Sequence, residues 1–465
     1  MLFRSTMLDK LVLPEVRELI AESDLATLRE VLNRWLPADI ADLLGDLSSK
    51  EDIVAFQCLT SGLAARTFAY LPGMAQEELL KVLPESELRE ILNELAPDDR
   101  TTLFESLSRV EIERLLALLT AENQRVSRSL LSYSEGTVGR LMTPEYIEVR
   151  EDWTMLQVLA HVRLVGRDSE SLNAVYVTDA TGHLIDDIRM REILLAQPDA
   201  TVRSLMNREF VALKANDLEA TAVDYFRRYD RTVLPVTDAR DLLLGVVTVD
   251  DVLDVAEETS TREIQKFGGL EALDEPYVST PVLEMVRKRG VWLIVLFLGE
   301  MLTASAMGAF ESEIEKAVVL ALFVPLIISS GGNSGSQAAT LIVRALAMGE
   351  VRLSDWWLVF RREIFSGLLL GCVLGCIGFL RIAVWSSFST IYGPHWPLVG
   401  LTVGISLIGI VLWGTLCGSM LPFLIKRCGL DPATSSAPFV ATLVDVTGLV
   451  IYFSVALVIL HGTLL

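Results

Sequence analysis

Cysteine and histidine are too few and too scattered to carry covalent or metal-centred chemistry. Cys58, Cys372, Cys376, Cys417 and Cys428 have no framework spacing, and the four histidines add no ligand pattern to them, which argues against both a disulfide scaffold and a zinc site. Cys372 and Cys376 fall on one helix face and read as small apolar packing residues. Positive charge is also short, with 40 Lys and Arg against 61 Asp and Glu and a net charge of −21. Such a chain lacks the cations that would displace counterions from nucleic acid or hold it on an anionic lipid surface. The balance favours cations as partners, although an acidic surface also serves solubility alone. The first residues, MLFRSTMLDKLVLPEV, lack the long apolar core of a secretion signal, so the leading domain is expected in the cytosol.

Long apolar runs are missing from residues 1–290 and dominate residues 291–465. The first part holds 52 acidic and 32 basic residues, and the second only 9 and 8. The two parts therefore belong to different solvents. From residue 37 the chain repeats every 12 residues, as PADIADLLGDLS, SKEDIVAFQCLT, SGLAARTFAYLP, GMAQEELLKVLP, ESELREILNELA, PDDRTTLFESLS and RVEIERLLALLT. Leu recurs at 47, 59, 71, 83, 95, 107, 119 and 131, and a second apolar series runs Leu44, Phe56, Phe68, Leu80, Leu92, Phe104, Leu116. Each unit reads as one short helix and a turn, with Pro37, Pro97 and polar residues at the helix starts. Stacked units predict an α-helical superhelix over 1–132, whose repeat does not itself reveal a function.

From Val138 strands alternate with helices, and the order LMTPEYIEVRED, helix, SLNAVYVTDATGHLIDDIRM, helix occurs a second time. The segment TVLPVTDARDLLLGVVTVDDVLDV resembles the second of a pair of cystathionine-β-synthase (CBS) modules, the pair covering 138–200 and 201–258. In that family a Ser or Thr and an Asp three residues on hold the ribose of an adenine nucleotide. Thr248 and Asp251 match, whereas Ile188 and Arg191 occupy those places in the first module, so the resemblance implies ATP at the second module at most.

Five stretches are long enough to span a membrane: Val291–Phe310, Ala317–Val343, Ile364–Trp385, Leu398–Ile425 and Pro438–Leu460. Arg287, Lys288, Arg289, Arg344, Arg352, Arg361, Arg362, Lys426 and Arg427 all flank them on one side. The excess of positive charge in the cytosol then sets the soluble domains inside and the C-terminus outside an inner-type cell membrane. Asp445 is the only charged residue of the last span. A charge at such depth costs roughly 2.5–3.5 kcal/mol, and so usually faces a water-filled path or an ion. The plain structural alternative is a protonated Asp bonded to a neighbouring helix. The second span contains FVPLIISSGGNSGSQAATLIVRALA. Gly331, Gly332 and Gly335 permit close helix approach and free carbonyls, while Asn333 and Gln337 offer oxygen ligands without charge. Irregular backbone at that depth has to line a cavity or be buried in protein. Glu300, in the first span, is open to a pairing with Arg344 or Arg381 or to a side cavity. Glu311, Glu313 and Glu315 read equally as an outer-mouth attractor for cations or as a solvated loop.

PLIISSGGNSGSQAATLIVRALA, GLDPATSSAPFVATLVDVTGL, the five spans and the domain order together resemble the MgtE-type magnesium channel family over nearly the whole chain. The resemblance implies a multidomain membrane protein, with a cytosolic α-helical superhelix, tandem α/β CBS modules, a long connecting (plug) helix over 259–290 and a five-helix domain over 291–465. It implies a homodimer whose pore is lined by the second and fifth spans, with Asp445 as pore aspartate and Asn333, Ala338 and Gly332 in the lining motif. Two Asp445 carboxylates suit a divalent charge, and a hydrated Mg2+ would reach Thr442, Asn333 and backbone oxygens through its waters. Cytosolic Mg2+ bound at Asp251, Asp254, Glu263 and Asp431 would close the path, although Thr259 and Arg262 replace acids that relatives can carry. An enzyme is not indicated: an intramembrane aspartyl protease needs a second Asp at depth, and no other span has one. A chloride channel with CBS modules would carry them after its membrane part. The competing reading is a secondary divalent-cation transporter coupled to protons or sodium through Asp445 and Glu300.

Overall fold

The computed structural model describes residues 7–48, 50–167, 169–273, 277 and 280–464. Residues 1–6, at the start of the segment read as no secretion signal, and 274–276 and 278–279, inside the predicted connecting helix, lie outside the described residues. The chain forms two compact units, Met1–Glu257 and Glu258–Leu465.

In the first unit the 12-residue period becomes a run of short helices. They begin at Pro37, Glu51, Ser61, Gly73, Glu85, Pro97, Arg109 and Ala121. Phe56, Phe68, Leu80, Leu92, Phe104 and Leu116 form the buried spine, and Leu59, Leu71, Leu83 and Leu95 close each turn beside it. Polar side chains repeat with the units as well. Asn33 and Asn93, sixty positions apart, each accept from a later backbone N–H, those of Thr60 and Thr120, both at 2.8 Å. Gln76 and Gln124 each donate to the carbonyl eight residues earlier, of Phe68 and Leu116. Arg100 occupies the same slot and donates to the Leu92 carbonyl at 2.8 Å, with its Nε on Ser127 Oγ at 2.9 Å. A buried guanidinium thus stands where the repeat elsewhere uses an amide.

The two α/β modules carry matching three-stranded sheets. Strands β1 (Glu148–Val149), β2 (Ala174–Thr178) and β3 (Leu184–Arg189) repeat as β4 (Leu213–Lys214), β5 (Val233–Thr237) and β6 (Leu243–Thr248). In each, the first pair is parallel and the second antiparallel, with a register shift at Val177/Thr178 and again at Val236/Thr237. The turns repeat too: Asp179 Oδ1 accepts from the N–H groups of Thr181 and His183, and Asp238 Oδ1 from those of Arg240 and Leu242.

The helix after β6 runs Val249–Phe267 without a break. It does not continue to residue 290. The glycine pair Gly268–Gly269 ends it, with Gly269 at φ +74°, a conformation cheap only for glycine, and Leu270 N–H returning to the Gln265 carbonyl. The next helix starts at Val282 behind Pro281 and is already the first span.

Among the described residues, five helices have the length and composition to cross a membrane: Val282–Ala309, Val318–Ala347, Leu353–Ser386, Trp396–Arg427 and Ala437–Leu460. The fourth packs along the third, second and fifth, and the first lies against the fifth. The SGGNSG stretch is a regular helix over Val324–Ala347, not an unwound segment. Its glycines act by close approach: a Cβ on Gly335 would stand 2.9 Å from Val440 Cγ1 and 3.0 Å from the Gly414 carbonyl. Tyr452 Oη, fully buried, donates to the Leu320 carbonyl at 2.9 Å and pins the fifth span to the start of the second.

Candidate ion path and acidic cluster

Asp445 lies in the middle of the fifth span, half-buried, against the second span. The contact is made by glycine. A Cβ on Gly332 would stand 3.4 Å from Asp445 Oδ1 and 3.4 Å from Ala441 Cβ, so the carboxylate rests on bare backbone. The remaining polar residues of the second span separate by face. Ser329, Asn333, Gln337 and Thr340 form an exposed stripe at helical spacing, with Asn333 Nδ2 donating to Ser329 Oγ at 3.3 Å. Ala338, named with the lining residues, is on the packed side at 4 % exposure. Thr442 is one turn before Asp445, and its hydroxyl donates to the Pro438 carbonyl at 3.1 Å. The Asp445 and Glu300 carboxyl groups are within hydrogen-bonding reach of one another. Among the described residues no ion pair joins Glu300 to Arg344 or Arg381. Arg381 instead donates to Tyr392 Oη at 3.2 Å and lies over the Phe323 and Trp385 rings.

The first unit gathers a separate set of acids. Asp98 and Asp99, in the first turn of the Pro97–Glu105 helix, meet Asp250, Asp251 and Asp254 of the Val249–Phe267 helix and Glu170. Asp98 is 7 % exposed, and its buried Oδ1 has no hydrogen-bond partner. Burial first, then the charges of Asp251, Asp99 and Glu170, hold its carboxyl well above the usual range. Asp99 is pushed up to about 6 by burial and by Asp250 and Asp254. Asp251 reaches about 6 as well, chiefly through burial, although the Thr248 hydroxyl donates to its Oδ2 at 2.5 Å and opposes the shift. Burial and neighbouring acids raise Glu170 and Asp254 in the same direction. Among the described residues no three side chains close into an inner-shell metal cage. A cation that keeps most of its water is the species this spacing suits. Asp98, Asp99 and Glu170 were not singled out by sequence. The only local signal for Asp98 and Asp99 is PDD at a helix start, where acids ordinarily serve the helix dipole.

Glu263 and Asp431, expected with Asp251 and Asp254, form a different pair in the second unit. Burial and then Asp431 raise the Glu263 carboxyl, with Lys266 opposing. Burial also works against charge on Asp431, but hydrogen bonds from Lys266 and the Ala433 N–H outweigh it and hold that carboxyl below the usual range. Arg262 pairs with Glu258 at 2.5 Å, a basic group where the resemblance leaves room for an acid.

A helical repeat, paired nucleotide-type modules and, among the described residues, five membrane-length helices that include a half-buried aspartate define a membrane transport protein with soluble domains. The chain belongs to the MgtE family of divalent cation transporters. The family's transporter model matches residues 324–455, its intracellular N-domain model residues 35–136, and the CBS model residues 202–258. It is 39 % identical over 450 residues to the magnesium transporter MgtE of Thermus thermophilus, covering 96 % of this chain and 98 % of that one. It is 32 % identical over 329 residues to the MgtE of Enterococcus faecalis, covering 71 % and 70 % respectively. A crystal structure of the cytosolic domain of the Mg2+ channel MgtE in complex with ATP matches at a TM-score of 0.51 and 35 % identity, over 52 % of this chain and 99 % of that one.

Proposed function

We propose that this chain is a magnesium channel of the cell membrane, acting as a homodimer, which admits Mg2+ through a path beside Asp445 and closes when Mg2+ binds its cytosolic acids. The names of its full-length relatives support the ion, and the position of Asp445 supports the path. Polar side chains facing hydrocarbon carry a desolvation penalty, so the exposed stripe Ser329, Asn333, Gln337, Thr340 favours a second copy and a wet lumen opposite it. Two Asp445 carboxylates, one per copy, offset a divalent charge. Gly332 leaves room for the ion's water, and Asn333 and Thr442 offer oxygens to that shell.

Regulation follows from the acidic cluster. Carboxylates forced together by burial repel, and a hydrated divalent cation relieves that repulsion. The orphaned Asp98 oxygen fits such a guest. Asp251 and Asp254 stand near the start of the helix whose last turn carries Lys266. The ion then limits its own passage. The second module also supports ATP through Thr248 and Asp251, and the relative crystallised with ATP is consistent with that role. The orientation that fits is cytosolic soluble domains with the C-terminus outside.

Patch-clamp recording of reconstituted protein tests this reading, with cytosolic-side Mg2+ stepped from zero to about ten millimolar, the upper range of weak acidic divalent sites. Unitary currents that close as Mg2+ rises, and that vanish in Asp445→Asn while the dimer remains folded, are the expected result. The Asp445–Glu300 carboxyl pair favours a second reading, proton- or sodium-coupled transport. Saturable uptake with counter-flow and no unitary current would select it.

A further inference from the structure

We propose that Glu300 is a second carboxyl of the ion path, and that it sets how strongly the path holds divalent cations; the inference rests on Asp445 being the pore aspartate. Three observations carry it. Gly299 brings the first span unusually near the fifth, since a Cβ there would stand 2.8 Å from Thr442 Cγ2. The next residue, Glu300, then reaches the Asp445 carboxyl, which rests on Gly332 of the second span. Glu300 also enters no ion pair among the described residues, and Arg381, a basic residue of the third span, is engaged by Tyr392.

Two acids side by side at membrane depth repel, unless a cation is shared between them. Asp445 alone gives a homodimer two carboxylates, enough to balance one divalent ion. Glu300 doubles the number. The surplus favours a divalent over a monovalent ion and lengthens its stay, so Glu300 adds affinity and discrimination at some cost in release. A residue that merely packed the first span against the fifth would not change selectivity.

The test is current through the reconstituted full-length dimer, with Na+ as the sole carrier and Mg2+ then added as blocker. Glu300→Gln is expected to raise the Mg2+ needed for half-block by roughly threefold to tenfold, equivalent to about 0.7–1.4 kcal/mol. It should also lower the Mg2+/Na+ permeability ratio while leaving a folded dimer, and Glu300→Asp should recover part of the shift. Where Glu300→Gln fails to assemble, Gly299→Ala keeps the carboxyl but displaces the helix that bears it, and the same shift is expected. Unchanged half-block and permeability ratio in whichever of these variants folds overturn the inference. Asp445→Asn, run in parallel, separates the two claims: if it conducts Mg2+ normally, the reading of Asp445 has failed, whereas a silent Asp445→Asn beside an unaltered Glu300→Gln condemns only the role of Glu300.

Discussion

Lys266 Nζ lies 2.8 Å from Asp431 Oδ2, an ion pair between the last turn of the connecting helix and the loop that leads into the fifth span. The same turn is fastened twice more. Phe267 packs with Ala339, Val440 and Val444, and Gly269 is so near the start of the fifth span that a Cβ would stand 3.3 Å from Ser436 Oγ. The end of this helix is thus seated at the base of the two spans that hold Gly332 and Asp445.

Reversing the charge in that pair should loosen the seat. Lys266 and Asp431 are 44 % and 40 % exposed, so solvent screening leaves the attraction worth only about 0.2–1 kcal/mol. Lys266→Glu replaces it with repulsion of similar size, and adds a second acid beside Glu263. The expected outcome is a several-fold rise in the cytosolic Mg2+ needed for half-inhibition, with unitary conductance unchanged. Adding Asp431→Lys should restore the original value.

The acidic cluster should make the soluble part more robust at low pH than at neutral pH when Mg2+ is absent. Asp99 and Asp251 titrate near 6 in the fold against 3.8 in the unfolded chain, so the folded form binds more protons between those values. Their contribution is fully present below the unfolded value and is lost as pH rises through about 6. Limited proteolysis of the whole protein in Mg2+-free buffer should show slower cleavage at about pH 5 than at about pH 7.5, across the window this linkage defines. Added Mg2+ should protect strongly at the higher pH and weakly at the lower.

Repeat and span were legible because each carries its own signal. Every 12-residue unit holds both its spine residue and its helix start, and the helices begin within the units read from the sequence. The second α/β module was readable from TVLPVTDARDLLLGVVTVDDVLDV, which folds as β5, a turn, β6 and the helix that follows. The meeting of Asp98, Asp99 and Glu170 with Asp251 was not readable, because those residues are far apart in sequence and a first-turn acid has a local use already. The end of the connecting helix was visible in KFGG, but the resemblance carried one longer helix over 259–290. The glycines of SGGNSG permit either an unwound backbone or close packing. Only their neighbours, Ile410, Val440 and the Gly414 carbonyl, decide for packing.

Gly414 offers a direct measure of that packing. A Cβ there would stand 2.5 Å from the Gly331 carbonyl, which is backbone and cannot swing aside. Gly414→Ala is therefore expected to force the second and fourth spans apart at a cost of about 1–3 kcal/mol, the usual range for overpacking. Gly308→Ala, at a site with nothing within 4 Å of the added carbon, should be neutral. Thermal unfolding of the detergent-solubilised protein distinguishes the two, with a lowered midpoint expected for the first alone.

Gating and conduction should separate in the double variant Asp98→Asn, Asp251→Asn. Both side chains keep their size, each exchanging one acceptor oxygen for an amide donor, and neither brings a charge into the buried cluster. If Mg2+ acts by relieving repulsion between Asp98, Asp99, Asp251 and Glu170, the variant needs less of it. Its open probability at zero Mg2+ should fall, and its response to added Mg2+ should flatten. Unitary current at a given gradient should stay at the parent value, since Asp445 and Gly332 are untouched. A variant that instead remains open at every Mg2+ concentration would mean that the ion closes the path by bridging carboxylates, so that removing the charges removes the bridge. Single-channel recording at zero and saturating Mg2+ decides between these two, because repulsion relief and bridging move the zero-Mg2+ open probability and the saturating response in different ways.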